Sequence, residues 1–192
     1  MNIIFFGNSY FTAEAVKLLL KYKDVMLTLV SYKDCPDYCV SRSLNTFYKN
    51  TNFNYIEFDR KIDDVSKILE ASEYDVLISC AWNTKFPDAI LKQLPCYNIH
   101  PSLLPKYRGA TPLHSQLEQG EKRSGITMHL MTQNYDCGPI YRQLSFKISP
   151  KDTLDRIVEK AAKKMCVILK HFVHDFPDIK LTPQNDDEAT YC

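Results

Sequence analysis

The chain has 192 residues, of which 45% are hydrophobic, 24% charged and 12% aromatic, and its formal net charge is +1. This is the composition of an ordinary globular protein, and it excludes collagen-like, coiled-coil and disordered chains. A nearly neutral chain also has no overall field to hold a polyanion, so we expect no nucleic-acid partner.

The first half of the chain alternates apolar runs with amphipathic stretches. Continuous apolar runs are typical of strands buried on both faces, and apolar residues at helical spacing predict helices between them. The predicted strands are 2–6, 25–30, a short one at Ile56 and Phe58, and 75–79, and the predicted helices are 11–20, 40–49 and 62–71. This order predicts an α/β fold with an open, mostly parallel sheet and helices on both faces.

The second half of the chain has a different pattern of predicted elements. A short apolar stretch, Cys96 to Ile99, runs into a proline-containing loop, because proline and the residue before it both disfavour a helix. After the loop we predict a short helix from Thr111 or Pro112 to Gln119, strands at 125–132 and 139–148, and a long amphipathic helix at 152–174. Residues 1–182 are expected to form a single domain, followed by a loose polar tail at 183–192.

Several kinds of site are excluded or disfavoured. The five glycines are too far apart for a dinucleotide-binding or phosphate-binding glycine loop. The seven cysteines are odd in number and irregular in spacing, and the pair Cys35 and Cys39 has no second ligand pair for zinc, so we expect free thiols and no metal. No signal peptide and no apolar run of membrane-spanning length is present, which favours a cytoplasmic location without membrane contact.

The densest group of reactive side chains lies where the predicted strands end. Asn98 and His100 are two residues apart, so an extended segment places both on one face. An amide can stabilise an oxyanion and an imidazole can carry a proton, which together suit acyl transfer. Asp136, in the turn before the last strand, is the best candidate to orient the imidazole, with Asp75 and Asp88 as weaker ones. Taken alone, a residue of each of these kinds more often has a structural role than a catalytic one.

The combination resembles the formyltransferases that use 10-formyltetrahydrofolate. The first motif is Asn-x-His-Pro-Ser-Leu-Leu-Pro from Asn98, followed by Arg-Gly-x-x-Pro from Arg108. The second comprises the segments 125–129 and 136–140. The resemblance covers about residues 1–150 and implies a Rossmann-like catalytic domain in which Asn98, His100 and Asp136 match the family's catalytic residues.

The resemblance also implies an enzyme that uses 10-formyltetrahydrofolate as co-substrate and no metal. The folate would lie along the segment after strand 75–79 and the turn before Asp136. The predicted folate-binding residues are Ile78, Cys80, Trp82, Phe86, Gln133 and Tyr135. The predicted amine-substrate residues are Asn8, Ser9, Ser102, Lys106 and Arg108, and Arg108 or Lys106 would meet a diphosphate.

The amine itself is inferred by elimination among the family's substrates. The net charge of +1 and the short stretch after the last helix count against methionyl-tRNA. The segment from Gly7 to Phe11 departs from the phosphate loop of the glycinamide ribonucleotide enzymes. We therefore expect a nucleotide-linked amino sugar, dTDP- or UDP-4-amino-4,6-dideoxyglucose. Glycinamide ribonucleotide, or a non-catalytic folate or nucleotide binder, is the alternative, and a homodimer through the long helix stays open.

Overall fold

The structure is a computed structural model, and it describes residues 1–33, 52–59, 64–70 and 72–192. The predicted helix at 40–49 and the Cys35–Cys39 pair lie outside the described residues. The backbone divides into two compact units, Met1–Tyr97 and Asn98–Cys192, which are taken in turn. The prediction of a single domain ending at residue 182 stays a prediction.

The first unit is built on four parallel strands with β1 in the interior. β1 pairs with β2 on one side and with β4 on the other, and β3 pairs with β2. The strands are β1 (Asn2–Gly7), β2 (Met26–Tyr32), β3 (Phe53–Phe58) and β4 (Val76–Cys80), and the helices are α1 (Tyr10–Leu19), α2 (Val65–Glu70) and α3 (Asp88–Gln93). Ile3 to Phe6 are completely buried, which explains why β1 carries no polar alternation.

Local chemistry sets the start of α1. Ser9 has an extended backbone with φ −124°, so the helix begins directly after it. The Ser9 N–H donates to Oγ1 of Thr12 at 3.2 Å, which satisfies a backbone group that the helix itself leaves without a partner. Gly7, Asn8 and Ser9 are thereby held between the end of β1 and the first turn of α1.

The second unit contains an antiparallel pair of strands covered by a long helix. Its elements are α4 (Pro112–Glu118), β6 (Arg123–Leu130), β7 (Ile140–Lys147) and α5 (Leu154–Asp175), and β5 (Cys96–His100) enters it at Asn98. α5 packs on β6, β7 and α4. Its inner face buries Ile157, Met165, Leu169 and Phe172, each fully or nearly fully. Burial of such side chains contributes roughly 1.5–3 kcal/mol apiece, so α5 is a main source of this unit's stability.

Within the first unit the strand order is β3-β2-β1-β4, and within the second unit β6 pairs with β7. The fold class is confirmed as an open, mostly parallel α/β sheet with flanking helices, and β7 is antiparallel to β6. Each strand and helix predicted within the described residues is present, with ends displaced by one to a few residues. A homodimer through α5 stays a prediction.

The expectation of a loose tail after residue 182 is wrong. Thr182 forms a reciprocal backbone pair with Ile140, at 2.7 and 2.8 Å. The backbone N–H of Arg108 donates to the carbonyl of Thr190 at 2.8 Å, and the N–H of Cys192 donates to the carbonyl of Arg108 at 2.9 Å. We call residues 182–192 the closing segment. Its polar composition favoured disorder, but backbone hydrogen bonds to the rest of the second unit order it.

Candidate active site

Strand β5 carries Asn98 and His100 on one face, as the two-residue spacing predicts. His100 is buried, with 4% of its surface exposed, and Asn98 is partly buried. Asn98 donates from Nδ2 to Oδ1 of Asp136 at 3.1 Å. A strand positions these two side chains, which limits their movement more than a loop would.

Asp136 lies in the turn between β6 and β7 and brings its carboxylate to that pair. Its φ of +56° is in the left-handed region. Oδ1 accepts from Asn98, and Oδ2 accepts from the backbone N–H of Gly109 at 3.0 Å. Gly138 supports the same turn, because a Cβ there would overlap the carbonyl oxygen of Leu130.

The His100 ring lies between a carbonyl and this carboxylate. Its Nε2 is 2.7 Å from the carbonyl oxygen of Tyr107, and its Nδ1 is 3.5 Å from Oδ1 of Asp136. Burial lowers the pKa of His100 below 6.5, against the opposing effects of Asp136 and of the Tyr107 carbonyl. The ring is therefore neutral at physiological pH, which is the state that accepts a proton.

His129 on β6 is a fourth member of the site; it ends the motif segment 125–129, but no role was predicted for it. It is 2% exposed, and its Nε2 lies 3.4 Å from Oδ1 of Asp136 and 3.4 Å from Nδ2 of Asn98. Its Nδ1 is 3.0 Å from the carbonyl oxygen of Leu130. The available signal was its place at the end of the motif segment 125–129, in the strand that precedes the Asp136 turn.

These neighbours keep Asp136 ionised although it is buried. Burial alone raises the pKa of a carboxyl group. The hydrogen bond with His129, the charge of His100 at the low pH where its ring is protonated, and the Gly109 N–H outweigh burial and lower the pKa of Asp136 to about 2. The cluster thus combines an amide donor, a neutral imidazole and a permanent negative charge, which is a set suited to acyl transfer.

Two of the predicted amine-substrate residues are engaged within the second unit. The Ser102 hydroxyl, completely buried, donates to the carbonyl of Lys106 at 2.6 Å. Arg108 is 2% exposed, and its guanidinium donates to Gln184 Oε1, to Asp186 Oδ1 and to the Tyr191 hydroxyl. A substrate anion at Arg108 would therefore have to displace Asp186. Lys106 itself is exposed.

Predicted residues of the first unit fall into buried and partly exposed sets. Ile78 and Cys80 lie within β4 with side chains at most 1% exposed, and burial raises the pKa of Cys80 to about 12. Asn8 and Ser9 lie at the end of β1 and are partly exposed. The binding roles predicted for these four residues stay predictions, and any contact by Ile78 or Cys80 would use the backbone.

Trp82 belongs to an aromatic cluster at the end of β4. Its ring stacks on Tyr32 with centroids 3.9 Å apart and meets Phe6 edge-on at 5.1 Å. The hydroxyl of Tyr32 accepts from the backbone N–H groups of Asn83 and Thr84, both at 3.0 Å, so the stack also holds the chain after β4. Among the described residues the Trp82 Nε1 atom is buried without a hydrogen-bond partner.

The remaining predicted positions differ in exposure. Phe86 is 7% exposed and packs edge-on against Phe6 at 5.0 Å. Gln133 and Tyr135 are exposed beside Asp136, and 66% of the Tyr135 surface is accessible. The weaker carboxylate candidates are both in the first unit, where Asp75 accepts from the Asn2 N–H at 2.7 Å and Asp88 begins α3. Of the three carboxylate candidates, Asp136 is the one that contacts His100.

In residues 1–33, 52–59, 64–70 and 72–192, no group of three or more histidine, cysteine, aspartate or glutamate side chains is arranged to hold a metal ion. Over that same part of the chain, no helix has both the length and the apolar surface needed to cross a membrane.

Comparison with known proteins finds one matching family model and related sequences. The family model described as formyl transferase matches residues 1–171. A methionyl-tRNA formyltransferase of Kosmotoga olearia is 33% identical over the whole chain, which corresponds to 65% of that protein. One from Fervidobacterium nodosum is 30% identical, again over the whole chain and over 63% of that protein. The chain thus spans somewhat less than two thirds of the length of these relatives.

Solved structures share the fold at lower identity. A sugar 3N-formyl transferase, solved in the presence of dTDP and 5-N-formyl-THF, matches the whole chain and 69% of its own length with a TM-score of 0.78 and 18% identity. A 4-N formyltransferase from Francisella tularensis matches the whole chain and 75% of its own length, with a TM-score of 0.78 and 21% identity. Glycinamide ribonucleotide transformylase 1 from Symbiobacterium toebii matches 95% of this chain and 94% of its own, with a TM-score of 0.77 and 18% identity.

Proposed function

The chain belongs to the formyl transferase family, and from this premise we propose that it transfers a formyl group from 10-formyltetrahydrofolate to a primary amine. The observation that carries the proposal is the contact of Asn98 and His100 with Asp136 in one buried cluster. A protein that only binds folate or a nucleotide has no use for a neutral imidazole held against an ionised carboxylate.

The first step is attack of the substrate amine on the formyl carbon of the folate. A negative charge develops on the formyl oxygen as the carbonyl bond opens. Asn98 donates a hydrogen bond to that oxygen from its amide nitrogen, whose position is held by the 3.1 Å contact with Asp136. A donor of this kind lowers the barrier by about 3 kcal/mol when it is already oriented before the reaction.

The second step is proton removal from the attacking nitrogen. His100 accepts this proton at Nδ1, while its Nε2–H stays with the carbonyl of Tyr107. The imidazolium that forms lies 3.5 Å from the ionised Asp136, which stabilises it. The tetrahedral intermediate then releases the formylated amine and tetrahydrofolate, and the folate nitrogen takes the proton from the His100 imidazolium as it leaves, which returns His100 to its neutral state.

The folate is a substrate of this reaction, because each turnover consumes its formyl group. The sugar 3N-formyl transferase of the same fold was solved with 5-N-formyl-THF, which supports a folate donor for the family. Within the first unit, the indole N–H of Trp82 is a buried donor with no partner among the described residues, so it is available to a heterocycle. The exposed side chains of Gln133 and Tyr135 stay proposed contacts in the second unit.

For the amine we propose a nucleotide-linked amino sugar, dTDP- or UDP-4-amino-4,6-dideoxyglucose. The net charge of +1 supports a small substrate over a polyanion. The substrate diphosphate would take the place of the Asp186 carboxylate at Arg108, because a guanidinium binds both groups through the same N–H donors.

Methionyl-tRNA is the second candidate amine. The observation that favours it is the 30% and 33% identity to methionyl-tRNA formyltransferases over the whole chain. Glycinamide ribonucleotide is a third, supported only by the shared fold of a transformylase that acts on it. The three amines differ enough in mass and charge for one assay to separate them.

An end-point assay by mass spectrometry tests the proposal. Purified protein and 10-formyltetrahydrofolate are incubated separately with each nucleotide sugar, with glycinamide ribonucleotide, with methionyl-tRNA and with buffer. We expect a formylated nucleotide sugar, and Asn98→Ala should form it about a hundredfold to a thousandfold more slowly. Asn54→Ala, at an exposed asparagine on β3, is the control.

Each other result has a defined meaning. Formylation of methionyl-tRNA or glycinamide ribonucleotide alone would keep the reaction and replace the proposed amine. Folate binding with no formylated product in any tube would overturn the proposed reaction. Equal rates for Asn98→Ala and wild type would remove Asn98 from the mechanism.

A further inference from the structure

The side chain of Gln184, in the closing segment, connects two parts of the site. Its Nε2 donates to the carbonyl oxygens of Asp136 at 2.8 Å and of Gly138 at 2.7 Å. Its Oε1 accepts from Nη2 of Arg108 at 2.8 Å and from Nε at 3.3 Å. All four hydrogen bonds come from a single amide group, so the donors and the acceptor of this side chain are both in use.

The two carbonyls that Gln184 contacts belong to the backbone of the Asp136 turn. Asp136 has a φ of +56°, a conformation that is uncommon for a residue with a side chain. Hydrogen bonds to the carbonyls of residues 136 and 138 set the direction of the peptide planes on the carboxyl side of Asp136. The side-chain direction of Asp136 follows from those planes.

Gln184 is itself held in place. Thr182, two residues earlier, pairs with Ile140 on β7. Further along, the Tyr107 N–H donates to Oγ1 of Thr190 at 2.8 Å, and Arg108 exchanges backbone hydrogen bonds with the closing segment. The amide is therefore anchored on both sides by backbone contacts, as a positioning group requires.

We propose that Gln184 is a positioning residue that holds the Asp136 carboxylate against His100 and the Gly109 N–H, with Arg108 keeping the Gln184 amide in the required orientation. The proposal rests on the proposed function, because it assigns Gln184 to the same reaction. Gln184 acts through Asp136 and touches no reacting atom.

The expected consequence is a change in the titration of Asp136. The groups that face its carboxylate are His100 on β5, His129 on β6, the amide of Asn98 and the backbone N–H of Gly109. Asp186 of the closing segment pairs with Arg108. Loss of the Gln184 contacts loosens the turn and lengthens the contacts to His129 and Gly109, so the pKa of Asp136 should rise.

Two variants and a matched control test this. Gln184→Glu keeps oxygen acceptors for Arg108 but cannot donate to the two carbonyls, and Gln184→Met removes both kinds of contact at similar volume. Asn185→Asp adds the same charge one residue later and keeps the oxygen that accepts from the Asp187 N–H. Circular dichroism and thermal unfolding first establish that each variant is folded.

Carboxyl-carbon NMR of uniformly labelled protein gives the pKa of Asp136, with Asp136→Asn used for the assignment. In wild type this pKa should lie near its value of about 2, and it should be higher in both Gln184 variants and unchanged in Asn185→Asp. In steady-state kinetics, both Gln184 variants should lose about tenfold to a hundredfold in kcat with little change in the KM for folate.

An unchanged Asp136 pKa and an unchanged kcat in Gln184→Met would overturn the proposal. A fall in kcat for Asn185→Asp equal to that for Gln184→Glu would also overturn it, since added charge would then suffice. If wild type transfers no formyl group, the proposed function fails, and the NMR titration still decides whether Gln184 positions Asp136.

Discussion

The Nδ1 atom of His100 lies 3.5 Å from Oδ1 of Asp136, and both side chains are buried. Because the carbonyl of Tyr107 can only accept, the neutral ring keeps its hydrogen on Nε2 and presents the Nδ1 lone pair to the carboxylate. A proton that arrives at Nδ1 therefore meets a negative charge. The pair is arranged to hold a proton for a short time, which is what removal of a proton from an amine requires.

His100→Asn should abolish most turnover while folate binding is kept. A general base contributes about a hundredfold to ten-thousandfold, so kcat should fall within that range. His114→Asn, at an exposed histidine, should match wild type. Single-turnover kinetics measure the chemical step, and fluorescence titration measures folate affinity. Wild-type turnover in His100→Asn would remove the base from the mechanism.

The pH dependence of kcat/KM should place the acidic limb below pH 6.5. Burial lowers the pKa of His100 from that ordinary value, so the neutral, active ring persists to lower pH than a free histidine would allow. Activity should then fall as pH drops through the lowered pKa. Rates measured from about pH 5 to about pH 9 give the limb, and a midpoint above 6.5 would contradict the assignment.

Asp136→Asn should alter how stability depends on acid. The folded pKa of Asp136, about 2, is below its ordinary value of 3.8, so its ionised form stabilises the fold above pH 4 and this stabilisation is lost as pH falls toward 2. The lost contribution is about 2 kcal/mol. As the pH falls between these values, the free energy of unfolding measured with urea should therefore decrease more for wild type than for Asp136→Asn. Equal slopes would show that Asp136 is not specially stabilised, and Asp187→Asn, at an exposed carboxylate, is the control.

His129→Leu should reduce activity less than His100→Asn. It removes one hydrogen bond to an ionised group, worth roughly 1.5–3 kcal/mol, so we expect a loss of about tenfold to a hundredfold in kcat. The pKa of Asp136 should rise at the same time, because the His129 contact helps to lower it. Kinetics and carboxyl NMR check both effects against His171→Leu, at an exposed position on α5. An unchanged pKa of Asp136 in His129→Leu would show that His129 does not help to keep Asp136 ionised.

Gly138→Ala should destabilise the second unit strongly. A Cβ at this position would overlap the carbonyl oxygen of Leu130, so the Asp136 turn has to move, at a cost of roughly 2–4 kcal/mol. Gly120→Ala is the matched control, because it meets no atom within 4 Å and is opposed only by its φ of +70°, for about 1 kcal/mol. Thermal unfolding of the two variants gives the comparison, and similar losses of stability would contradict the steric argument.

Local sequence patterns predicted the strands, the helices and part of the site. The site residues that they did not predict depend on contacts between distant parts of the chain. The shared face of Asn98 and His100 follows from strand alternation over three residues, which sequence contains directly. The role of His129 depends on the register between a strand and a turn, which no local pattern specifies. Gln184 contacts Asp136 across 48 residues of chain, and its polar neighbours favoured disorder on composition alone.

The contact between the Tyr107 N–H and Oγ1 of Thr190 joins positions 83 residues apart. A ribosome adds about 5–20 residues per second, so the loop around Arg108 waits on the order of 4–17 seconds for this partner during synthesis. Contacts of such separation also close late in folding, since a long loop must be ordered first. On the ribosome, the nascent chain therefore acquires its secondary structure before it acquires a finished site.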